Sequence, residues 1–514
     1  MDNFSASVAK SLHFGDLGKG LFTDTNLFDI PSGGCAACNN VLWLDGYLRA
    51  RPGLSEVFPS APSSDPVCHL DYYTNYQGIS KLMRVSRPSP TTLAVWAYSG
   101  GSWGLVASGL LGDSSVPITS ANFHGKWYMT TGVGPMYRYD GTSFVTVASL
   151  QSTARFKVFD APRIVVAGDS RLFVADCYTS QDGSKTDRVP YRVAWSDTLN
   201  GESWGGGTGG GTSGFVDFAQ DSTPITGLYY SNSSLMVFKP TSIYIGYVAV
   251  PPKTYDFRQF VSGVGCVSHQ SIRSFKEGTI VWLGDDDIYL GGPNNSPQAA
   301  GSSVRPRIRA IVDLLSIEDA VAVLDRQNFF YHLFLPNLSD STLKKLFSLN
   351  MRNGSWWEGE FSSFQVGCAT EYRQGAWYPQ YLLGGNNGKI AEFSMSNLTD
   401  LGQNFNCNWT SGMAAVRKLT GNKTEQAFLD HIRVQALSSG ADRVTLGAIT
   451  GDGMDRLESI SFGEQVLDGA SSVMTSSRTY CREHFQIQVT GVSASFPKIA
   501  EIGVVFNLKG ATRR

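Results

Sequence analysis

Residues 98–103, YSGGSW, and residues 139–144, YDGTSF, are two copies of one pattern. In each, a tyrosine closes a short alternating strand, a glycine-containing turn reverses the chain, and an aromatic side chain opens the next strand. Related turns recur at Asn200–Trp204 (NGESW) and Asn353–Trp356 (NGSW). The runs that carry them read TLAVWAYSGGSW, PMYRYDGTSF, YRVAWSDTLNGESW and LFSLNMRNGSWW. An apolar strand, a tight turn and a second strand make a β-hairpin. Hairpins recurring at about 40–50 residues are the sequence form of four-stranded propeller blades.

Further segments show paired strands without the closing aromatic: 233–246 (SSLMVFKPTSIYIG), 278–292 (GTIVWLGDDDIYLGG) and 376–393 (AWYPQYLLGGNNGKIAEF). Six or seven such units fit between residues 66 and 396. The expected fold is therefore all-β, a propeller-like array of degenerate blades over 61–400, with an array of β-sandwiches as the alternative arrangement. From about Asn404 the turn motif is lost, and FLDHIRVQAL, DRVTLGAIT, HFQIQVTG and EIGVVFNL alternate around polar turns. That predicts a C-terminal antiparallel sandwich-type domain over 401–514. Residues 1–60 are turn-rich and unlike either part, an arm or a set of strands that packs with the C-terminal domain.

Two departures from the array stand out. The stretch 178–214 is polar and ends in GGGTGGGTSG, which predicts a long surface loop or hairpin insertion. Between Arg305 and Asp325, apolar residues at Ile308, Ile311, Val312, Leu315 and Ile317 have helical spacing, with Pro306 where a first turn tolerates it.

Composition narrows the function classes. Of 514 residues only 17% are charged, against about 25% in a typical globular chain, while Gly (55), Phe (29), Tyr (21) and Trp (11) are abundant. The 42 basic and 44 acidic residues leave a net charge of −2, without the basic stripe that tracks phosphates, so specific nucleic-acid binding is disfavoured. No run approaches the roughly 20 apolar residues that span a bilayer. The opening MDNFSASVAKSLHFGD carries no signal-peptide core, which implies synthesis in a cytosol. Eight scattered cysteines then read as buried, reduced side chains.

The motifs that carry chemistry elsewhere are incomplete here. Cys35-x-x-Cys38 lacks the second pair that a structural zinc site needs. The Gly205–Gly211 run has no following lysine, so it is no phosphate loop. Asp285-Asp286-Asp287 does not alternate its carboxylates as calcium loops do, and reads as a solvated turn. Ser196–Trp204 is similar to the Asp-box of sialidases, with the wrong Asp-to-Gly spacing, and that box is structural in any case. The seven histidines (His13, His69, His124, His269, His332, His431, His484) are isolated along the sequence. No catalytic, cofactor or metal site is assigned.

The N-terminal stretch carries a resemblance. Asn26-x-Phe28-Asp29-Ile30, Gly33-Gly34, Asn39-Asn40 and Gly46-Tyr47-Leu48-Arg49-x-Arg51-Pro52-Gly53 resemble the opening of the tail nozzle or hub family of short-tailed phages, the packaged-DNA stabilisation proteins. Degenerate blades, the segment at 308–317, the terminal β-domain and the turn Arg478–Arg482 leading into HFQIQV suit that group, whereas the 178–214 stretch has no place in it. The resemblance implies a structural virion protein, not an enzyme and without a cofactor. Its partners would be itself, in a ring of six, then portal-adaptor proteins and tail fibres or spikes. Genomic DNA would pass through the lumen without specific binding, and no membrane would be entered. Two other classes stay open: a host-receptor- or glycan-binding propeller with an exposed aromatic rim, and a tail-associated glycan hydrolase with convergent carboxylates or arginines at the propeller centre.

Overall fold

The computed structural model describes residues 8–58, 62–147, 156–181, 184–204, 212–250, 253–276, 278–373, 378–415, 427–438, 442–451, 457–467, 470–481 and 484–508. Seven antiparallel blades of four strands follow one another, the third carrying an additional strand, Phe156–Asp160, on its extended hairpin. Their inner strands are Val67–Thr74, Thr119–Phe123, Ile164–Gly168, Gly227–Ser231, Arg273–Lys276, Val321–Asp325 and Val366–Tyr372. The first blade packs against the seventh, closing the ring. This part of the chain is a seven-bladed β-propeller.

The sequence repeat now has a topological meaning. YSGGSW and YDGTSF turn from the third to the fourth strand of blades 1 and 2 (Thr92–Ser99 to Ser102–Leu111, and Tyr137–Tyr139 to Phe144–Thr146). NGESW and NGSW occupy the same turn in blades 3 and 6. The segments without the aromatic are second-to-third-strand hairpins of blades 4, 5 and 7. Large apolar side chains from these hairpins fill the spaces between blades. Trp127 and Met129 pack with Met83 and Val95 between blades 1 and 2, and Phe238 and Ile243 pack with Trp282 between blades 4 and 5.

Blade 7 is completed from the other end of the chain. Its outer strand is Gly53–Val57, paired with Ile390–Ser394, so the propeller draws its closing strand from the expected N-terminal arm. Residues before it belong to the second domain. Val8–Phe14, Val41–Leu44 and Tyr47–Ala50 join one sheet with Lys498–Leu508, Ala427–Leu437 and Ala470–Cys481. Gly20–Leu21 and Gly34–Asn39 join a second with Asn406–Ser411, His484–Val492, Asp442–Gly451 and Leu457–Leu467. Ile432, Val434, Ile499 and Val504 of the first sheet meet Trp409, Leu446, Ile487 and Val489 of the second in one core. That core continues into the flank of blade 6 through Trp356 and Trp357.

The crossing from sandwich to propeller is made by Arg51, Pro52 and Gly53. Arg51 is 2% exposed. Its Nη2 donates to Asp400 Oδ2 at 2.6 Å and to the Glu360 carbonyl at 2.9 Å. Nη1 donates to Asp400 Oδ1 at 3.0 Å and to the Pro52 carbonyl at 2.8 Å, and Nε donates to Asn40 Oδ1 at 2.8 Å. Phe361 and Phe405 lie 4.3 and 3.9 Å from the guanidinium carbon, each with the cation over its ring. Asn40, at φ +58°, also accepts from the Glu360 amide and donates to the Asn406 carbonyl. Gly53 has no room for a side chain, since a Cβ there would stand 2.5 Å from the Thr399 carbonyl oxygen.

Two expectations need correction. The 178–214 stretch is not an insertion: Ser184–Trp195 is the third strand of blade 3 and Gly214–Asp217 its fourth. Val193 and Trp195 face one blade interface and Ala194 the other, an alternation hidden by the polar residues around it. What does extend is the hairpin of Arg171–Gln181 with Ser184–Trp195. Gly205–Gly211 lies outside the described residues. The helix expected over 305–325 is shorter, Arg305–Ile311, because Val312 leaves it to bridge Asn337 and Asp313 starts a 3-10 turn at Leu314–Asp319. Ile308 and Val312 are buried, but Leu315 is 95% exposed, so the apolar spacing does not mark one packed face.

Removing one member of a buried, hydrogen-bonded ion pair costs about 3–5 kcal/mol. Arg51→Ala is therefore expected to lower the unfolding free energy measured in urea by about that amount, with propeller and sandwich signals moving together. A shift below about 1 kcal/mol would show that the Arg51 contacts do not hold the domains.

Candidate functional site at the mouth of the propeller channel

All seven inner strands begin at one end of the channel, and three neighbouring cavities open there. The segment leading into blade 6 partly covers this end. Asp313 fastens it, accepting from the Leu315 amide at 3.0 Å, Ser316 Oγ at 2.9 Å and Ser341 Oγ at 2.6 Å. The 3-10 turn that follows sends Glu318 into one cavity and Asp319 into the next.

On the blade 3 side the mouth is built around Asp176, which is buried with φ +51°. Arg188 grips both its oxygens, Nε at 3.1 Å and Nη2 at 2.7 Å, and Arg163 Nε is 3.6 Å away. Arg188 lies on the extended hairpin of blade 3, so this bidentate pair fixes the hairpin at the rim. Among the described residues no hydrogen bond or ion pair supports Asp319 in this way. Burial raises its pKa to about 6, the neighbouring Glu318 carboxylate adds to the rise, and Arg87 opposes it. A carboxylate held in an unfavourable place at a channel mouth is a mark of functional sites.

Deeper in, a cavity of about 230 Å³ is lined by His69, Asp71, Ser120, His269, Gln270 and Arg273, among others. The Ser120 hydroxyl donates to Asp71 Oδ2, and Trp127 Nε1 donates to the same oxygen at 2.8 Å. His69 Nε2 stands 2.7 Å from Ser120 Oγ. Since that hydroxyl has given its proton to Asp71, His69 must donate to it. This order is the reverse of a nucleophilic triad, in which the imidazole takes the proton. His269 accepts from the Leu228 amide through Nδ1 at 3.4 Å, which leaves the proton on Nε2. Burial, with Arg273 and His69 nearby, pushes its pKa down to about 4. Arg273 donates to the Ile272 carbonyl at 2.7 Å, while Glu371 pairs with Arg326 at 3.5 Å. The cavity thus offers the Arg273 cation and one imidazole donor, His269 Nε2–H, to a polar ligand, and among its described residues the Ser120 hydroxyl is not activated as a nucleophile.

The residues singled out from the sequence lie elsewhere. Cys35 and Cys38 are buried in the sandwich core, where burial raises the Cys35 thiol and disfavours a thiolate. Asp287 is a turn anchor that accepts from the Ile288 and Gly301 amides, both at 2.7 Å, and Asp286 accepts from the Tyr289 hydroxyl. In the Asp-box-like turn, Asp197 accepts from Ser203 Oγ and from the Thr212 and Ser213 amides, while Trp204 packs edge-on against Phe159. That role is structural. His13 meets Glu501, His124 meets Tyr76, His431 meets Asp430, and His332 is buried against Ser348. His484 meets Phe28 edge-on. Arg478–Cys481 lie in a sandwich strand, and Arg482 is outside the described residues. Only ring closure brings His69 and His269, two hundred positions apart, to one cavity, and no local motif signals it. No group of three metal-ligating side chains occurs among the described residues, and none of their helices is long and apolar enough to cross a membrane.

No protein-family model and no curated protein matches this sequence. Among solved structures the chain is similar to YCF48 from Cyanidioschyzon merolae, at TM-score 0.37 and 11% identity over 68% of this chain and 100% of that one. It is also similar to the Pan2 WD40 domain of Neurospora crassa, at 0.35 and 9% over 67% and 94%. For BBS1N in complex with ARL6DN the values are 0.40 and 11% over 68% and 100%. The propeller assignment rests on this chain's own strand order and ring closure.

The Asp319 carboxyl gives a pH test with a definite sign. With its folded pKa raised to about 6, the group lowers stability at neutral pH and stops doing so as pH falls from about 6 toward 4. Asp319→Asn is expected to stabilise the protein by on the order of 1–2 kcal/mol at pH 7.5, a partly screened value, and by close to nothing at pH 4. The buried histidines act in the opposite sense, so the variant must be compared with the wild type at each pH by denaturant unfolding. An equal difference at both pH values would remove Asp319 as the cause.

Proposed function

We propose that this chain is a non-enzymatic structural subunit of a short-tailed phage tail. Copies of it would form the nozzle or hub ring below the portal and its adaptor, retaining packaged DNA until the tail opens. The observation that carries this reading is the clamp at the domain crossing. Asn40, Arg51 and Gly53, which lie within the motif stretch on which the family resemblance rests, act together to lock a propeller to a sandwich. A subunit whose two domains cannot swing is suited to a closed ring that bears internal pressure, because cyclic symmetry requires the same interface at every junction. The chain's near-neutral charge suits a wall along which DNA moves without being held.

The first test is the mass and symmetry of the purified protein, alone and mixed with portal-adaptor complexes, by negative-stain imaging. The expected outcome is a closed ring of six that docks on the adaptor. A stable monomer that ignores the adaptor overturns the proposal.

The extended hairpin of blade 3 is the proposed contact element, since long polar loops on rigid scaffolds usually carry interactions. Replacing residues 179–187 with Asn-Gly between Tyr178 and Arg188 preserves the strand pairing near the ring. The variant is expected to keep its thermal midpoint and lose adaptor docking. Unchanged docking would remove the hairpin from the interface.

The polar cavity at His69, His269 and Arg273 favours a second reading, a ligand-binding propeller. It predicts saturable glycan or carboxylate binding that Arg273→Met abolishes.

A further inference from the structure

A different cavity, of about 500 Å³, lies where the sandwich meets the last blade. The pairing of Ile499 with Leu48 in antiparallel strands sets Lys498 beside Arg49, and Leu437 pairs with Lys498 on its other side. All three line the cavity, with Met395 and Leu398 of the blade 7 turn and Phe496 completing its apolar wall. Like charges directly opposite each other in a sheet are destabilising. Here neither cation is relieved by a carboxylate within ion-pair distance among the described residues. Arg49 donates to the Met395 carbonyl at 3.3 Å, and burial lowers its pKa, with Asp45 only partly opposing. Asp442 also lines the cavity, but it is buried and has a partner of its own.

Two unrelieved cations above an apolar wall, in a cavity within the roughly 300–1,000 Å³ range of ligand pockets at domain boundaries, define what would fit. We propose that this interdomain cavity binds an amphipathic monocarboxylate, with the carboxylate between Arg49 and Lys498 and the alkyl body against Leu437, Leu398 and Phe496. The ligand would supply the missing counter-charge and bridge sandwich to propeller. The site is independent of the channel and of any role in a tail.

The test is calorimetric titration of the full chain with octanoate, acetate and 1-octanol. Octanoate is expected to bind saturably and at least about tenfold more tightly than either control, because only it offers both the charge and the apolar body. Lys498 is exposed, so Lys498→Met folds without difficulty. With the like-charge contact gone, this variant is expected to melt at or above the wild-type temperature without ligand. Its affinity for octanoate should fall about tenfold or more. Octanol binding as tightly as octanoate, no saturable octanoate binding, or equal affinity in Lys498→Met and wild type would each overturn the proposal.

Discussion

The buried guanidinium of Arg51 is the constraint on which the architecture turns. A lone cation in a protein interior is unfavourable by several kcal/mol, so this position is tolerable only when every neighbour is in place. Those neighbours come from distant parts of the chain: Asn40 from the sandwich, Glu360 and Phe361 from blade 6, and Asp400 and Phe405 from the segment leaving blade 7. The sandwich group lies hundreds of positions from the other two along the chain. The ion pair therefore acts less as a source of stability than as a condition of registry. Sandwich and propeller must meet in one arrangement, or a charge is left buried and unpaired.

Electrostatics at the channel mouth follow a different logic. At the rim, Asp176 and its arginines order backbone that would otherwise extend freely beyond the blade. Inside, His69 and His269 are kept neutral by burial, and the Asp71 carboxylate is satisfied by neutral donors. Asp319 is a carboxylate raised by burial and by Glu318 that finds no hydrogen bond among the described residues. The mouth is thus well ordered where strands need fixing and less well satisfied where it faces the channel.

Much of the fold was legible because blades are local. The aromatic after a glycine turn, as at Trp103, Phe144, Trp204 and Trp356, marks the third-to-fourth-strand turn, where a large side chain must fill the wedge behind the hairpin. The strand PYRVAW was harder to read. Pro190 and Arg192 stand on the same face as Ala194 and make that face read as solvent-exposed, although Ala194 and Val193 are fully buried and Trp195 is buried. The helix is shorter than the 305–325 spacing suggests because Leu315 carries the right spacing without a packed face behind it. Sites were the least legible part. His69 with His269, and Arg49 with Lys498, are neighbours through ring closure and strand pairing between the two ends of the chain. Neither leaves a local pattern to find.

The closing strand has a consequence for how the molecule comes into being. Lys389 bonds Glu56 across 333 positions, and Val8 lies opposite Leu508. On a ribosome the first strands of both domains emerge early and wait, edges unpaired, while the blades between them form one by one from nearby segments. The ring can close once the third strand of blade 7, Ile390–Ser394, has emerged, but the first sheet of the sandwich must wait for Lys498–Leu508. A chain arrested between these points would carry a closed ring beside an open sandwich. The waiting edges of the sandwich strands would be the surfaces a chaperone must shield.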